Sequence, residues 1–461
     1  MRRGVIANGD VTATPFPTAR QRRETALWGV LVLLLATLYA GIAVLPAGVR
    51  ARSPTLDDVL FGLDQLRPLG PFAVLLAVLV VVILRLPSHR LVPRLKAALS
   101  TVETLGSRTK ILLAAGVGAY SFVWFLGLRN QFINPDGMAF SAKFHADVPA
   151  RGASVTHDEI LELYVHSRFW YHTSRAFGWS VEYSYQFLSS LAGGVFVVLL
   201  LAFGWALLGE KRWIVLVLGI GSAGFMQLFF GDVENYTLVT LLMFVYFFAG
   251  WLYIEAKTGL IVPSAVLAVA ICFHLLAAFL LLSLAYLYVV ALHRRQWLSI
   301  AGAALTLVAI PAAVVAYFHY HGLPLEVIRT SNAFGQAGKL QRFATPDLAY
   351  HGQITSLLLL LFPPVLCFVP LVAYRRIALD SFNVFMLLAV GVFVGYLLTW
   401  RAALGVYNDW NLYAPAALPL AILFWRNFAR ADALWNKAGI GAALMLTSAV
   451  HSYAWIIANH V

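Results

Sequence analysis

Asp232 and Glu234 stand two residues apart in Gly231-Asp232-Val233-Glu234-Asn235-Tyr236, a hexapeptide set between two apolar runs that are each long enough to cross a bilayer. So short a connection leaves almost no aqueous loop, which puts both carboxylates at a membrane surface. Ionisable groups that close to hydrocarbon are costly and are generally kept for a substrate, an ion or a proton. Acid-base work at a membrane-embedded site is the chemistry they suggest, with Asn235 and Tyr236 as polar neighbours. A connecting turn that tolerates acids is the plain alternative.

Two other stretches carry reactive side chains. Asn134-Pro135-Asp136-Gly137 is a strong turn signal and holds Asp136 on a rigid bend near the membrane surface. Trp400-Arg401 and Tyr407-Asn408-Asp409-Trp410-Asn411 close one apolar run and enter the next. The Arg401 guanidinium has the planar fork that clamps a phosphate, or it snorkels at the interface without a specific partner. Trp400 and Trp410 fit an interfacial aromatic belt.

These residues need a scaffold, and composition defines it. With 61% hydrophobic and 12% charged residues among 461, the chain is too apolar for a soluble domain. It reads as an all-α polytopic membrane protein, with apolar segments at roughly 25–47, 69–86, 111–128, 185–208, 213–230, 236–254, 260–273, 275–292, 297–317, 354–374, 382–400, 412–426 and 438–458. That is about thirteen transmembrane helices. Cys272 and Cys367 both lie inside apolar runs, so no disulfide framework or CxxC metal site is available.

The net charge of +12 is a topology signal. Arg2, Arg3, Arg20, Arg22 and Arg23 precede the first apolar run, which reads as a retained anchor with a cytoplasmic N-terminus. Basic residues concentrate in the connections that this start assigns to the cytoplasm. No aromatic-interleaved basic patch argues for nucleic acid. Only two outer loops are long enough to build a site, about 129–182 and 318–353, and most of the twelve histidines fall at or near outer positions.

In the first loop, Thr156-His157-Asp158-Glu159 reads as a capping box with Thr156 as N-cap. It opens an amphipathic helix from Ile160 to Phe177 that would lie on the bilayer surface. Acids in a first helical turn are favoured by the helix dipole whatever the function, so Asp158 and Glu159 are read as structural. The second loop contains Arg329, Asn332, Lys339, Gln341, Arg342 and Asp347, followed by His351 at the start of a span. A basic loop of this kind suits an anionic head group or is simply solvated.

A long outer loop with an early Asp, a later acidic turn, a dozen or so spans and a basic late loop resemble the GT-C class of integral membrane glycosyltransferases. The closest likeness is to uncharacterised bacterial members related to the protein O-mannosyltransferase superfamily. Phe229-Phe230-Gly231-Asp232-Val233-Glu234-Asn235-Tyr236 and Asp409-Trp410-Asn411-Leu412-Tyr413 carry the likeness, and the family's loop aspartate maps onto Asp136. Asn411 stands where the pattern has a second acid. The resemblance spans residues 107–461, and residues 1–106, a basic tail and two spans, look like an addition before that core.

The resemblance implies an inverting transferase in a bacterial plasma membrane. It would move a sugar from a polyprenyl-phosphate donor to a hydroxyl of a glycan, lipid or protein on the outer face. Asp136, Asp232 and Glu234 would be catalytic, with the outer-loop Asp as base. Arg401, His274, His351 and Arg342 would bind the donor phosphate, and Asn235, Tyr236, Asp409 and Trp410 the substrate. No cofactor is certain, although a divalent metal bridging the acids is compatible with the pattern. The other classes are a secondary transporter or flippase for a lipid-linked or anionic substrate, and an O-antigen polymerase or ligase. The spans are almost free of internal charge, which disfavours ion coupling, and the largest loop comes early where a polymerase has it late.

Overall fold

The computed structural model describes residues 18–44, 70–85, 100, 102, 104–133, 135–155, 159–209, 212–323, 348–402, 405–431 and 438–460. Arg342 and the rest of the basic stretch 324–347 lie outside them, as do Asn134 and Thr156-His157-Asp158. The architecture is all-α, and every one of the thirteen apolar segments carries helical backbone.

Among the described residues, eight helices are long and apolar enough to cross a membrane, or nine if a bent pair counts as one span. The chain is an integral, multi-pass membrane protein. The described residues do not confirm the count of about thirteen spans: Trp213–Gly221, Ile261–Phe273 and Ala417–Arg430 are helical but short. The bent pair is Leu348–Leu361 and Pro363–Ala373, which meet at 101°. Pro363 and Pro364 cannot donate to the preceding turn, and Phe362 before them is pushed to an extended φ of −144°.

Helices approach closely where side chains are small. A Cβ at Gly118 would lie 2.9 Å from the Gly194 carbonyl oxygen, and one at Gly194 would lie 2.9 Å from that of Gly118. The Ser107–Gly127 and Val181–Leu208 helices therefore cross with backbones nearly touching, the packing that membrane helices use where apolar burial supplies no drive. The Ala19–Val44 helix packs into the same bundle, with Trp28 edge-on to Phe428 at 5.3 Å and Tyr39 stacked on His451 at 4.3 Å.

At one end of the bundle, the stretch expected to form the first outer loop contains two helices, Pro135–Arg151 and Ile160–Phe177. The second matches its expected bounds, yet it does more than lie on a surface. Its inward face buries Leu163, His166 and Trp170, and Phe144, Val148, Tyr185 and Val233 complete that small core. The first helix replaces the expected bend: Pro135 opens it and Asp136 sits in its first turn. Proline suits the first helical position and an acid suits the first turn, so residues that signal a turn also start a helix here.

At the opposite end, Arg426 and Arg430 both donate to Asp380 Oδ2, at 2.8 and 2.6 Å, and Arg376 makes two hydrogen bonds to the buried Glu24. These pairs tie the far ends of the helices together and leave the site end to do chemistry.

Candidate functional site

The acidic turn is built by a glycine that nothing else can replace. Gly231 has φ +66°, and a Cβ there would lie 2.7 Å from Cβ of Arg129. The left-handed conformation and this close approach both demand glycine. Asn130 N–H donates to the Phe230 carbonyl at 2.6 Å, and Gln186 Nε2 donates to the Asn130 carbonyl at 2.8 Å, locking the residue 129–133 strap beside the turn.

Inside the turn, Asp232 is only 4% exposed. Asn130 Nδ2 lies 3.4 Å from Oδ1, Asn411 Nδ2 lies 3.5 Å from Oδ2, and Ser189 Oγ donates to the Asp232 carbonyl at 2.8 Å. Burial pushes the carboxyl up to about 7, against the opposing pull of Asn411, Asn130 and the Val233 N–H. Asn411, where a second acid was expected, thus supplies a donor to a buried carboxylate that another carboxylate would have repelled.

Because its proton is held up to about 7, Asp232 makes folding stability fall as pH rises. The stabilising protonated form is fully present below the ordinary carboxyl value and is lost as pH passes through about 7. The stability of Asp232→Asn relative to the parent should therefore rise by roughly 2–4 kcal/mol between about pH 4 and pH 8. Thermal unfolding in detergent across that range measures it, and a flat difference would mean that burial imposes no such penalty.

Asn235 and Tyr236 face the other side of the turn. Asn235 is fully buried; its Nδ2 donates to Glu159 Oε2 at 2.7 Å and its Oδ1 accepts from the Tyr185 hydroxyl at 3.1 Å. The Tyr236 ring lies 5.0 Å from that of His274. His274 Nε2 in turn lies 3.5 Å from Glu159 Oε1. Glu159, read from the sequence as part of a capping box, occupies the N-cap position of its helix without a side-chain cap bond and reaches across to the turn instead.

Asp136 and Glu234 join this side. Burial raises the Asp136 carboxyl, and the charge of Glu159 raises it further. Glu234 is 2% exposed and, with Glu159, acts on the Tyr236 hydroxyl, which burial first pushes above its ordinary range. One helix turn deeper, Glu162 Oε1 accepts from Leu238 N–H at 3.3 Å and lies 3.4 Å from His166 Nε2. Burial drives the Glu162 carboxyl well up and the His166 imidazole down to about 3, so it disfavours the charged form of both partners.

Two of the cationic candidates, Arg401 and His351, lie against the same tyrosine. The Arg401 guanidinium lies 5.1 Å over the Tyr350 ring, and the His351 ring is 5.7 Å from the same tyrosine. Tyr350 and Tyr413 both donate to the Trp400 carbonyl, and Ala402 N–H donates to Tyr413 at 2.9 Å. Residues 409–413 therefore join the two halves: Asn411 holds Asp232 while Tyr413 braces the strand that carries Arg401. Asp409 is 6% exposed in this connection. Trp410, expected among the substrate contacts, packs edge-on against Trp455 at 4.7 Å. Among the described residues, no three His, Cys, Asp and Glu side chains converge as a metal site.

No protein-family model and no curated protein sequence matches the chain. Its structure does match that of ArnT from Cupriavidus metallidurans bound to undecaprenyl phosphate, with a TM-score of 0.54 at 12% identity over 77% of each chain. The apo form of ArnT gives 0.53 at 13% identity over 76% of each chain. The chain has the GT-C fold. Within the GT-C fold the turn at 231–236, the helices of the first outer loop and the 409–413 connection meet at one end of the bundle, the arrangement described above. Asn130, Ser189 and Tyr185 of this site carry no motif signal, and Glu159 only that of a capping box, because each acts on a partner distant in sequence.

Proposed function

We propose that the protein transfers a sugar from a polyprenyl-phosphate-linked donor to an acceptor hydroxyl on the outer face of the membrane. The observation that carries this reading is the ArnT-like GT-C fold wrapped around a buried acidic turn, since that neighbour binds undecaprenyl phosphate. The acceptor is a hydroxyl of a glycan, lipid or protein.

Asp136 takes the proton of the acceptor hydroxyl as its oxygen attacks the anomeric carbon. The bond from that carbon to the phosphate oxygen breaks, and polyprenyl phosphate leaves with inversion. Asp232 and Glu234 set carboxylate charge beside the anomeric carbon as positive character develops there. The leaving group is already anionic, so it needs cations and not a general acid. Arg401 and His351 supply them, with Arg342 from the basic stretch. Asn235, Tyr236 and Asp409 orient the sugar. An apolar groove between helices suits the polyprenyl tail, which accounts for a wholly embedded catalyst.

This reading places residues 129–182 outside the cell, in a bacterial plasma membrane with the N-terminus in the cytoplasm. Both native cysteines are buried, so a single engineered thiol reports cleanly. A thiol introduced by Ala176→Cys, at an exposed position near the end of the Ile160–Phe177 helix, should react with an impermeant maleimide added to intact cells. Reaction only after the inner face is opened would move the site to the cytoplasm and overturn the use of an outward-facing donor.

A further inference from the structure

The two ring nitrogens of His274 face different neighbours. Its Nδ1 accepts from Leu276 N–H at 3.0 Å, capping the short helix Leu275–Leu280. A nitrogen that accepts carries no proton, so the neutral ring bears its one N–H on Nε2. That nitrogen lies 3.5 Å from Glu159 Oε1, beyond an ordinary hydrogen bond. Its one N–H therefore faces a carboxylate, whose charge disfavours a phosphate at the same nitrogen.

From Glu159 the connection continues in one direction. Asn235 Nδ2 donates to Glu159 Oε2 at 2.7 Å, and the Tyr185 hydroxyl donates to Asn235 Oδ1 at 3.1 Å. These contacts run from the Leu276 backbone through His274, Glu159 and Asn235 to Tyr185. The chain of contacts joins the Leu275–Leu280 helix, the start of the Ile160–Phe177 helix, the acidic turn and the Val181–Leu208 helix. A carboxylate placed between two donors in a poorly solvated site orients both, and networks of this kind act as a unit.

We propose that His274 is a positioning residue for Glu159 and not a ligand of the donor phosphate, and that Glu159 holds the acidic turn through Asn235. Its effect on sugar transfer rests on the function proposed above; the clamp itself does not. Glu159 is then the centre of the device. It fixes Asn235, the residue that follows Glu234, and it lends its charge to Asp136.

Two variants separate the possibilities. Glu159→Gln keeps the shape and loses the charge, and His274→Asn retains an acceptor suited to cap Leu276 N–H but is too short to reach Glu159. Amide hydrogen exchange of residues 231–236 in the full-length protein reads the clamp with no substrate present. Binding of polyprenyl phosphate reads the phosphate site. Each variant should speed exchange in the turn by roughly 10-fold, and the double variant no more than the larger single effect, because coupled partners are not additive. Polyprenyl phosphate affinity should change less than about 3-fold in His274→Asn. Loss of lipid binding in His274→Asn with exchange unaltered would make the histidine a phosphate ligand and overturn the proposal, as would additive effects of the two substitutions. Failure of the parent protein to bind the lipid would instead count against the transferase reading, while the exchange data still decide the clamp.

Discussion

Asp136→Asn is expected to lower kcat for sugar transfer by roughly 100- to 10,000-fold, the usual contribution of a positioned general base. Asparagine fills the same space in the first turn of the Pro135–Arg151 helix but cannot accept a proton. Fold and insertion should survive, because Asp136 is only half-buried and the helix retains Pro135 at its start. Burial and then the neighbouring Glu159 hold the Asp136 carboxyl above its ordinary range. A base works only when deprotonated, so transfer should rise with pH over a limb lying above the ordinary carboxyl region. Glu159→Gln removes the second of those causes and should move the limb to lower pH. Undiminished turnover by Asp136→Asn would reduce the residue to a helix-dipole acid and transfer the role of base to Asp232 or Glu234.

Arg401→Ala is expected to abolish transfer by weakening the hold on the donor phosphate, with an effect on the order of 2–5 kcal/mol as for loss of one partner of a desolvated charge pair. The guanidinium already stands over Tyr350 beside His351, on a segment braced by Tyr413. Arg401→Lys should restore only part of the activity, since an ammonium keeps the charge but lacks the bidentate fork. Steady-state kinetics with the donor varied will show the loss mainly in KM if the phosphate is held equally in the ground and transition states, and in kcat if the hold tightens as charge moves onto the leaving group. Equal activity of alanine and parent proteins would leave Arg401 as an interfacial anchor.

Local periodicity and long apolar runs carried much of the architecture. The Ile160–Phe177 helix was readable at both ends because Leu161, Tyr164, Val165 and Phe169 recur at helical spacing and Gly178 follows, where the chain turns left-handed at φ +70°. The acidic turn was readable because two carboxylates so near hydrocarbon are rare. Span number was harder: Trp213–Gly221 and Ala417–Arg430 are apolar in sequence, yet their helices are cut short by 3₁₀ turns that only packing reveals. The setting of Asp136 was not legible, since Asn-Pro-Asp-Gly signals turns and helix starts alike.

The supporting shell of the site was invisible for a different reason. Asn130 lies 102 residues from Asp232 and Asn411 lies 179 away, and a carboxamide acquires meaning only from the group it faces. Glu159 was misread because its local role as a first-turn acid was sufficient to explain it, whereas its carboxylate reaches Asn235 at a separation of 76 residues. His274 was expected to bind the donor phosphate, and nothing in the sequence shows that its Nδ1 caps Leu276.

The most direct test of a polyprenyl-phosphate-using enzyme is the binding of that lipid itself. Purified protein in detergent or nanodiscs should retain one polyprenyl phosphate per chain in native mass spectrometry, in preference to the uncharged polyprenol. Asp136→Asn should leave that binding intact and Arg401→Ala should weaken it at least 10-fold. Equal retention of phosphate and alcohol, or binding that ignores Arg401, would contradict an anionic donor held at this end of the bundle.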